Sequence, residues 1–316
     1  MPKFRTEEAK KSLLRRVRRQ RLKYITILPS LITILNGVCG FTAIILAGKS
    51  PKLDAVTSQT PFFSFADLSY FALAGYMILL AMIADMLDGR LARISQNTSS
   101  FGGQLDSLCD VISFGVAPAF LMLKILEYKL ADFAEVNHTF YIFVLRFIWL
   151  AAAAYVSCAA IRLARFNVEN EEDESAHMSF IGLPTPAAAG VIVSLVILHE
   201  ETLPSLNSAI YILPFLAIGV AILMISRIRY PHIVNQYLRG KKPFAHLIKV
   251  LLLALVIWWN IQAALVLIFC GFAGGSFLKW LYYKIVRHKD GVIQSTQNIT
   301  LETADELPSS GHDNTH

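Results

Sequence analysis

Four aspartates stand in two pairs: Asp85 and Asp88 are three residues apart, Asp106 and Asp110 four apart. Residues at those separations share one face of a helix. The polar run Ser95-Gln-Asn-Thr-Ser-Ser100 lies between the pairs and can reverse the chain, so two antiparallel helices would bring four carboxylates to one point. Such a cluster cannot stay ionised unaided. Like charges repel at close range, and a single Asp at mid-bilayer costs about 2.5–3.5 kcal/mol even on a lenient insertion scale. Two divalent cations would neutralise four carboxylates. An all-oxygen ligand set suits Mg²⁺ or Mn²⁺, and Mg²⁺ typically works together with substrate phosphates. Two such ions can hold a pyrophosphate, polarise its phosphorus and stabilise the leaving phosphate. A solvated loop edge would account for one aspartate, but not for four at helical spacing.

The elements that must position these residues are membrane helices. Of the 316 residues, 55% are hydrophobic and 16% charged, whereas a water-soluble chain carries about 25% charged residues. The apolar surplus comes in blocks of about twenty, long enough to cross a bilayer core. Backbone amides in lipid must be satisfied within their own segment, and no run shows the alternation of a barrel strand. The expected fold is therefore an all-α integral membrane protein of about eight transmembrane helices. Their expected positions are residues 24–48, 68–88, 105–126, 139–162, 181–199, 208–226, 246–260 and 262–284. Only Asn260, Ile261 and Gln262 separate the last two, which form either a tight hairpin or a re-entrant pair. On this reading the aspartates sit at the cytosolic ends of the second and third spans.

Charge divides the chain into three parts. Residues 1–23 hold ten Lys/Arg against Glu7 and Glu8, so the remainder sums to −2 within a total of +6. This arm reads as a positive-inside topology signal, and its spacing also suits a helix lying on anionic lipid. It is too long for the basic region of a signal peptide, and no small-residue cleavage site follows. Residues 24–284 form the expected transmembrane catalytic domain, and residues 285–316 a polar, disordered tail. Arg90, Arg93, Arg162, Arg165, Arg227, Arg229, Arg239, Lys241 and Lys242 fall on the expected inner side, against Lys49, Lys52, Lys124 and Lys129 outside. Both termini are thus expected in the cytosol of a multi-pass inner-membrane protein. Cys39, Cys109, Cys158 and Cys270 lie inside expected spans without metal-ligand spacing and read as packing residues. The chain shows no internal repeat, glycine-rich nucleotide loop or hydrolase triad, and a nucleic-acid partner is not expected.

The run D-x2-D-G-x2-A-R-x8-G-x3-D-x3-D, from Asp85 to Asp110, resembles the signature of the CDP-alcohol phosphotransferase family. It matches at all eight fixed positions over 26 residues. The resemblance implies an intramembrane helical fold, displacement of CMP from a CDP-linked lipid, and a homodimer. It also implies roles. Asp85, Asp88 and Asp106 would hold two divalent cations, Mg²⁺ or Mn²⁺, with Asp110 as a further ligand and the general base. Gly89, Ala92, Arg93 and Gly102 would line the CDP site.

Three further segments, with the opening helix Leu28–Gly37, are similar to stretches typical of bacterial phosphatidylserine synthases. They are Arg162-Leu-Ala-Arg165-Phe-Asn167, Phe180-Ile-Gly182-Leu-Pro184-Thr-Pro186 and Met224-Ile-Ser226-Arg-Ile-Arg229-Tyr-Pro231. That likeness implies CDP-diacylglycerol and serine as substrates. Arg162 and Arg165 suit the serine carboxylate or the lipid phosphates, or else they anchor a helix at the membrane edge. Thr33 and Asn36 either face the nucleotide or bond between helices. Pro184 and Pro186 either touch substrate or start a helix. Glycerol 3-phosphate, inositol phosphate and choline are rival acceptors, choline calling for an aromatic cage. In a different class, the aspartates would be the ion site of a transporter, which favours mid-membrane placement on broken helices in paired repeats.

Overall fold

The computed structural model describes residues 30–49, 69–95, 100–131, 133–172, 179–202, 210–231 and 260–282. The basic arm, the polar tail and nearly all of the expected span 246–260 lie outside them. Contacts divide the chain into two compact units, Met1–Ala273 and Gly274–His316. In the second, the rings of Phe277 and Trp280 stack with centroids 6.1 Å apart.

Helix α1 (Ser30–Ala47) is followed by α2 (Tyr70–Ser95). Next comes α3 (Ser100–Asp110), which runs through a π-helical stretch (Val111–Val116) into α4 (Ala117–Leu130). After the single turn α5 (Phe133–Val136) comes the long α6 (His138–Glu172). A strand β1 (Ser179–Ile181) precedes α7 (Thr185–Glu201). Helix α8 (Leu213–Ile225) leads to strand β2 (Arg229–Pro231), and α9 covers Ile261–Tyr282.

Five helical stretches are long and apolar enough to cross a membrane: α1, α2, α3 to α4, α6 and α9. The chain is a multi-pass membrane protein, but the described residues do not support a count of eight. The expected fifth span is α7, whose 17 residues rise about 25 Å, at the lower limit of about 17–25 residues for a transmembrane helix. Its Val191, Ile192, Val193, Val196 and Ile197 are all buried. This helix is enclosed by protein, a setting that hydropathy does not distinguish from lipid. The expected sixth span is the 13-residue α8.

Small residues dominate where helices meet. Ala43, Ala74, Ala81, Ala117, Ala151, Ala188 and Ala217 are buried in one core, while Leu31, Phe41, Trp149, Leu150 and Phe215 point outward. That division suits a fold whose solvent is lipid, because close backbone approach replaces the hydrophobic drive between helices. At Gly40 the approach is close: a Cβ there would stand 2.3 Å from Ser113 Oγ.

The departure from an all-helical reading is small and local. Strands β1 and β2 pair antiparallel, Ser179 opposite Pro231, Phe180 opposite Tyr230 and Ile181 opposite Arg229. The pairing continues as Gly182 N–H donates to the Ile228 carbonyl at 2.8 Å and Leu183 N–H to the Leu223 carbonyl at 3.0 Å. Gly182 has φ +83°, which a side chain would resist. A Cβ there would also lie 2.3 Å from the Met224 carbonyl oxygen.

Candidate active site

The site gathers at one end of the first unit. The C-terminal part of α2, the latter half of α3, the N-terminal part of α1 and the C-terminal part of α6 supply it. Asp85, Asp88 and Asp106 each offer a carboxylate oxygen, and these three oxygens lie within 4.8 Å of one another. Asp110 stands outside that trio but within electrostatic reach of all three. The side chain of Asn36 donates to Asp110 Oδ1 at 3.0 Å. Thr33, buried one helical turn earlier on α1, hydrogen-bonds Asp88, as does the Gly89 backbone.

Whether the residues fit a divalent cation can be asked of their unmet polar atoms. Asn36 Oδ1, Asp88 Oδ2 and Asp106 Oδ1 are all buried and lack a hydrogen-bond partner. Buried oxygens are normally satisfied, and a carboxylate left bare is costly. Here all three bare atoms are oxygen acceptors, two from carboxylates and one from an amide. Hard cations take oxygen ligands of this kind, and the residues fit one.

The remaining expected residues fall around the trio. A Cβ on Gly89 would meet nothing within 4 Å, so packing within the chain does not demand glycine there and the backbone stays open to approach. Gly102 is half-buried in the first turn of α3. Ala92 and Arg93 fall in the last turn of α2, and their side chains lie outside the described ones. Thr33 and Asn36 bond to Asp88 and Asp110, which ties α1 to the helices that carry the aspartates.

Arg162 is no membrane-edge anchor. It is 7% exposed, donates to Thr185 Oγ1 at 3.2 Å, lies 5.8 Å from the Phe166 ring centroid and acts electrostatically on Asp85. Arg165 donates to the Ile225 carbonyl at 3.2 Å. Pro184 immediately precedes α7 and Pro186 falls in its first turn, the place where proline suits a helix start. The three segments singled out in sequence thus assemble into one body. Arg162 reaches the start of α7, Arg165 the end of α8, and the two strands join the flanks.

Sequence reasoning missed two residues here. Thr185 is fully buried under Arg162. Ser107, beside Asp106, accepts a hydrogen bond from Asn167 Nδ2 at 2.9 Å and so couples α3 to α6. Hydroxyls in a helix carry no spacing signal of their own, so neither stood out. An apolar cavity of about 520 Å³, lined by Leu126, Leu130, Phe143, Phe147, Tyr211 and Phe215 among others, shares no residue with this site.

A helical membrane fold with carboxylates clustered at one end of its bundle agrees with the comparison to known families. The family model described as CDP-alcohol phosphatidyltransferase matches residues 26–226, more than half of the chain, and the chain belongs to that family. Its relatives include the CDP-diacylglycerol–serine O-phosphatidyltransferase of Helicobacter pylori, 35% identical over 170 residues, which is 53% of this chain and 64% of the relative. The protein of the same name from Methanocaldococcus jannaschii is 38% identical over 160 residues, 51% of this chain and 64% of that one. The archaetidylserine synthase of Methanothermobacter thermautotrophicus is 34% identical over 208 residues, 65% of this chain and 70% of the relative. The chain therefore spans slightly less than two thirds of the length of the first two.

Proposed function

We propose that this protein transfers the phosphatidyl group of CDP-diacylglycerol to L-serine, giving phosphatidylserine and CMP. The observation that carries the reading is the trio Asp85, Asp88 and Asp106, whose carboxylate oxygens approach within 4.8 Å of one another inside the family region. The names of the relatives favour serine as the acceptor.

When bound, two divalent cations, Mg²⁺ or Mn²⁺, would supply charge neutralisation of the pyrophosphate and of the departing CMP. The chain's own residues do the rest. Asp85, Asp88 and Asp106 would hold the cations, and Asp110 would contribute an oxygen at the edge of the cluster. Gly89 and Gly102, with Ala92 and Arg93, leave room for the CDP moiety and line it. Thr33 and Asn36 hold Asp88 and Asp110 in place from α1. Asn36 occupies Asp110 Oδ1, and Asp110 takes the serine hydroxyl proton as that oxygen attacks the phosphorus bearing diacylglycerol. A base must reach its proton by geometry first, and Asn36 fixes the buried Asp110 carboxylate in place. Arg162 and Arg165 bind the serine carboxylate or the lipid phosphate. A planar guanidinium suits either anion.

This reading also puts the protein in the inner membrane as a homodimer with both termini cytosolic and the arm 1–23 on anionic lipid. Charge bias and family resemblance support it. The substrate lipid then enters laterally, with its acyl chains remaining in the bilayer.

The test is CMP release by purified full-length protein in lipid nanodiscs with CDP-diacylglycerol and Mn²⁺ or Mg²⁺. Serine, glycerol 3-phosphate, inositol phosphate and choline are compared as acceptors. Serine alone should support rapid release. Release with another alcohol would retain the site and overturn the acceptor. No release with any of them, from folded and metal-loaded protein, would leave the reading without support.

A further inference from the structure

The helix that carries Asp106 and Asp110 changes pitch immediately after Asp110. Residues Val111–Val116 are π-helical, and the Ala117 amide donates to the Ile112 carbonyl, five residues back. Such wide turns are rare and tend to occur at functional sites. Two buried hydroxyls brace this one. Tyr155 on α6, fully buried, donates its hydroxyl to the Phe114 carbonyl at 3.0 Å. Ser113 Oγ donates to the Asn36 carbonyl at 2.9 Å, and the Asn36 side chain in turn holds Asp110. Beyond the wide turn, α4 is locked into the core by Leu121, Met122, Ile125 and Leu126, all fully buried.

The geometry has a mechanical consequence. With α4 held in the core, a return of the turn to α pitch would rotate α3 by one residue step, about 100°. Asp106 and Asp110 would swing away from Asp85 and Asp88.

We propose that Tyr155 is a positioning residue, whose hydroxyl holds the π-turn and thereby sets the register in which α3 presents Asp106 and Asp110. The functional consequence rests on the aspartates being the reaction site, but the register can be measured without turnover. Cys109, next to Asp110, faces α1. A Cβ built on Gly37 would stand 3.5 Å from Cys109 Cβ and 3.0 Å from its Sγ, which suits a disulfide, whose Cβ atoms lie about 3.5–4.5 Å apart. A rotated α3 would carry Cys109 away.

The experiment uses full-length Gly37→Cys protein in nanodiscs, with Cys39, Cys158 and Cys270 changed to Ala. Oxidative cross-linking to Cys109 is quantified by mass spectrometry. Separately, kcat and KM for CDP-diacylglycerol are measured on protein without Gly37→Cys. The parent should cross-link nearly completely. Adding Tyr155→Phe, which keeps the buried ring, should lower the yield at least fivefold. In the turnover assay it should lower kcat at least tenfold with KM within threefold. Ser113→Ala should act in the same direction. Cross-linking and turnover unchanged in Tyr155→Phe would overturn the proposal. Should Tyr155→Phe fail to fold, unchanged cross-linking in Ser113→Ala would overturn it instead. A lower yield in protein whose parent releases no CMP with any alcohol would sustain the positioning role and sink the reaction.

Discussion

The two ends of the helical bundle handle buried carboxylates in opposite ways. At the end described above, three carboxylates face one another and two of their oxygens have no hydrogen-bond partner. At the other end stands Glu201, whose Oε2 accepts from the Tyr76 hydroxyl at 3.0 Å and from the Gln262 side chain. Its neighbour Glu200 lies 3.8 Å from Lys129 Nζ, and Lys49 sits over the Tyr70 ring at 5.3 Å. Bare atoms occur there too, namely Glu201 Oε1 and both ring nitrogens of the buried His199. Yet among the described residues only Asp85, Asp88 and Asp106 form a group of three able to share a cation. Glu201 stands alone among donors at one end, whereas at the other three carboxylates crowd within 4.8 Å of one another. Crowding of buried like charges is costly, which supports the proposal that the aspartate end carries the chemistry.

The comparison can be broken most severely by neutralising one carboxylate at each end. Asp88→Asn should reduce CMP release by at least about 10³-fold, as expected when a charge that holds a catalytic metal is lost. Asp110→Asn should cost about 10²–10⁴-fold as loss of a general base. Glu201→Gln should leave turnover within about twofold of wild type. A comparable loss in Glu201→Gln would erase the distinction between the ends.

Cation binding sharpens it. A ligand present at a hundred times its dissociation constant stabilises the folded state by about 2.7 kcal/mol. Saturating Mn²⁺ should therefore raise the thermal midpoint of EDTA-treated wild type and of Glu201→Gln, but not of Asp88→Asn, in a fluorescence melt. Equal stabilisation of all three would place the cation elsewhere.

Two smaller effects follow. Arg162→Lys keeps the charge and removes the planar donor that reaches Thr185, so kcat/KM should fall about tenfold, with little change in melting temperature. Tyr76→Phe removes one hydrogen bond at the opposite end and should cost about 1 kcal/mol of stability while sparing kcat. A turnover defect in Tyr76→Phe would join the two ends functionally.

Much of the site was legible before the fold was known, because spacing alone carries the information. Asp85 with Asp88, and Asp106 with Asp110, must share helix faces whatever surrounds them, and three of the four do converge. Thr33 and Asn36 were legible as a polar face of α1, but not as the donors that hold Asp88 and Asp110, since a partner 74 residues away leaves no mark in local pattern. The β1–β2 pairing was invisible for a related reason. Three-residue strands have no periodicity to read, and their pairing depends on Gly182 and on the α6 arginine that meets the end of α8. The count of eight is not confirmed among the described residues: α7 is as apolar as a lipid-facing helix and is enclosed by protein, two settings that hydropathy does not separate. The π-turn after Asp110 is a matter of pitch, and nothing in Val111-Ile-Ser-Phe-Gly-Val116 announces it.

The central claim is that Asp85, Asp88 and Asp106 hold the divalent cations on which phosphatidyl transfer to serine depends. It is tested most directly by titrating Mn²⁺ into EDTA-stripped protein supplied with CDP-diacylglycerol and serine, following CMP in wild type, Asp88→Asn and Glu201→Gln. The account predicts saturable recovery in wild type and Glu201→Gln and none in Asp88→Asn. Undiminished turnover in stripped wild-type protein, or equal recovery in Asp88→Asn, would contradict it.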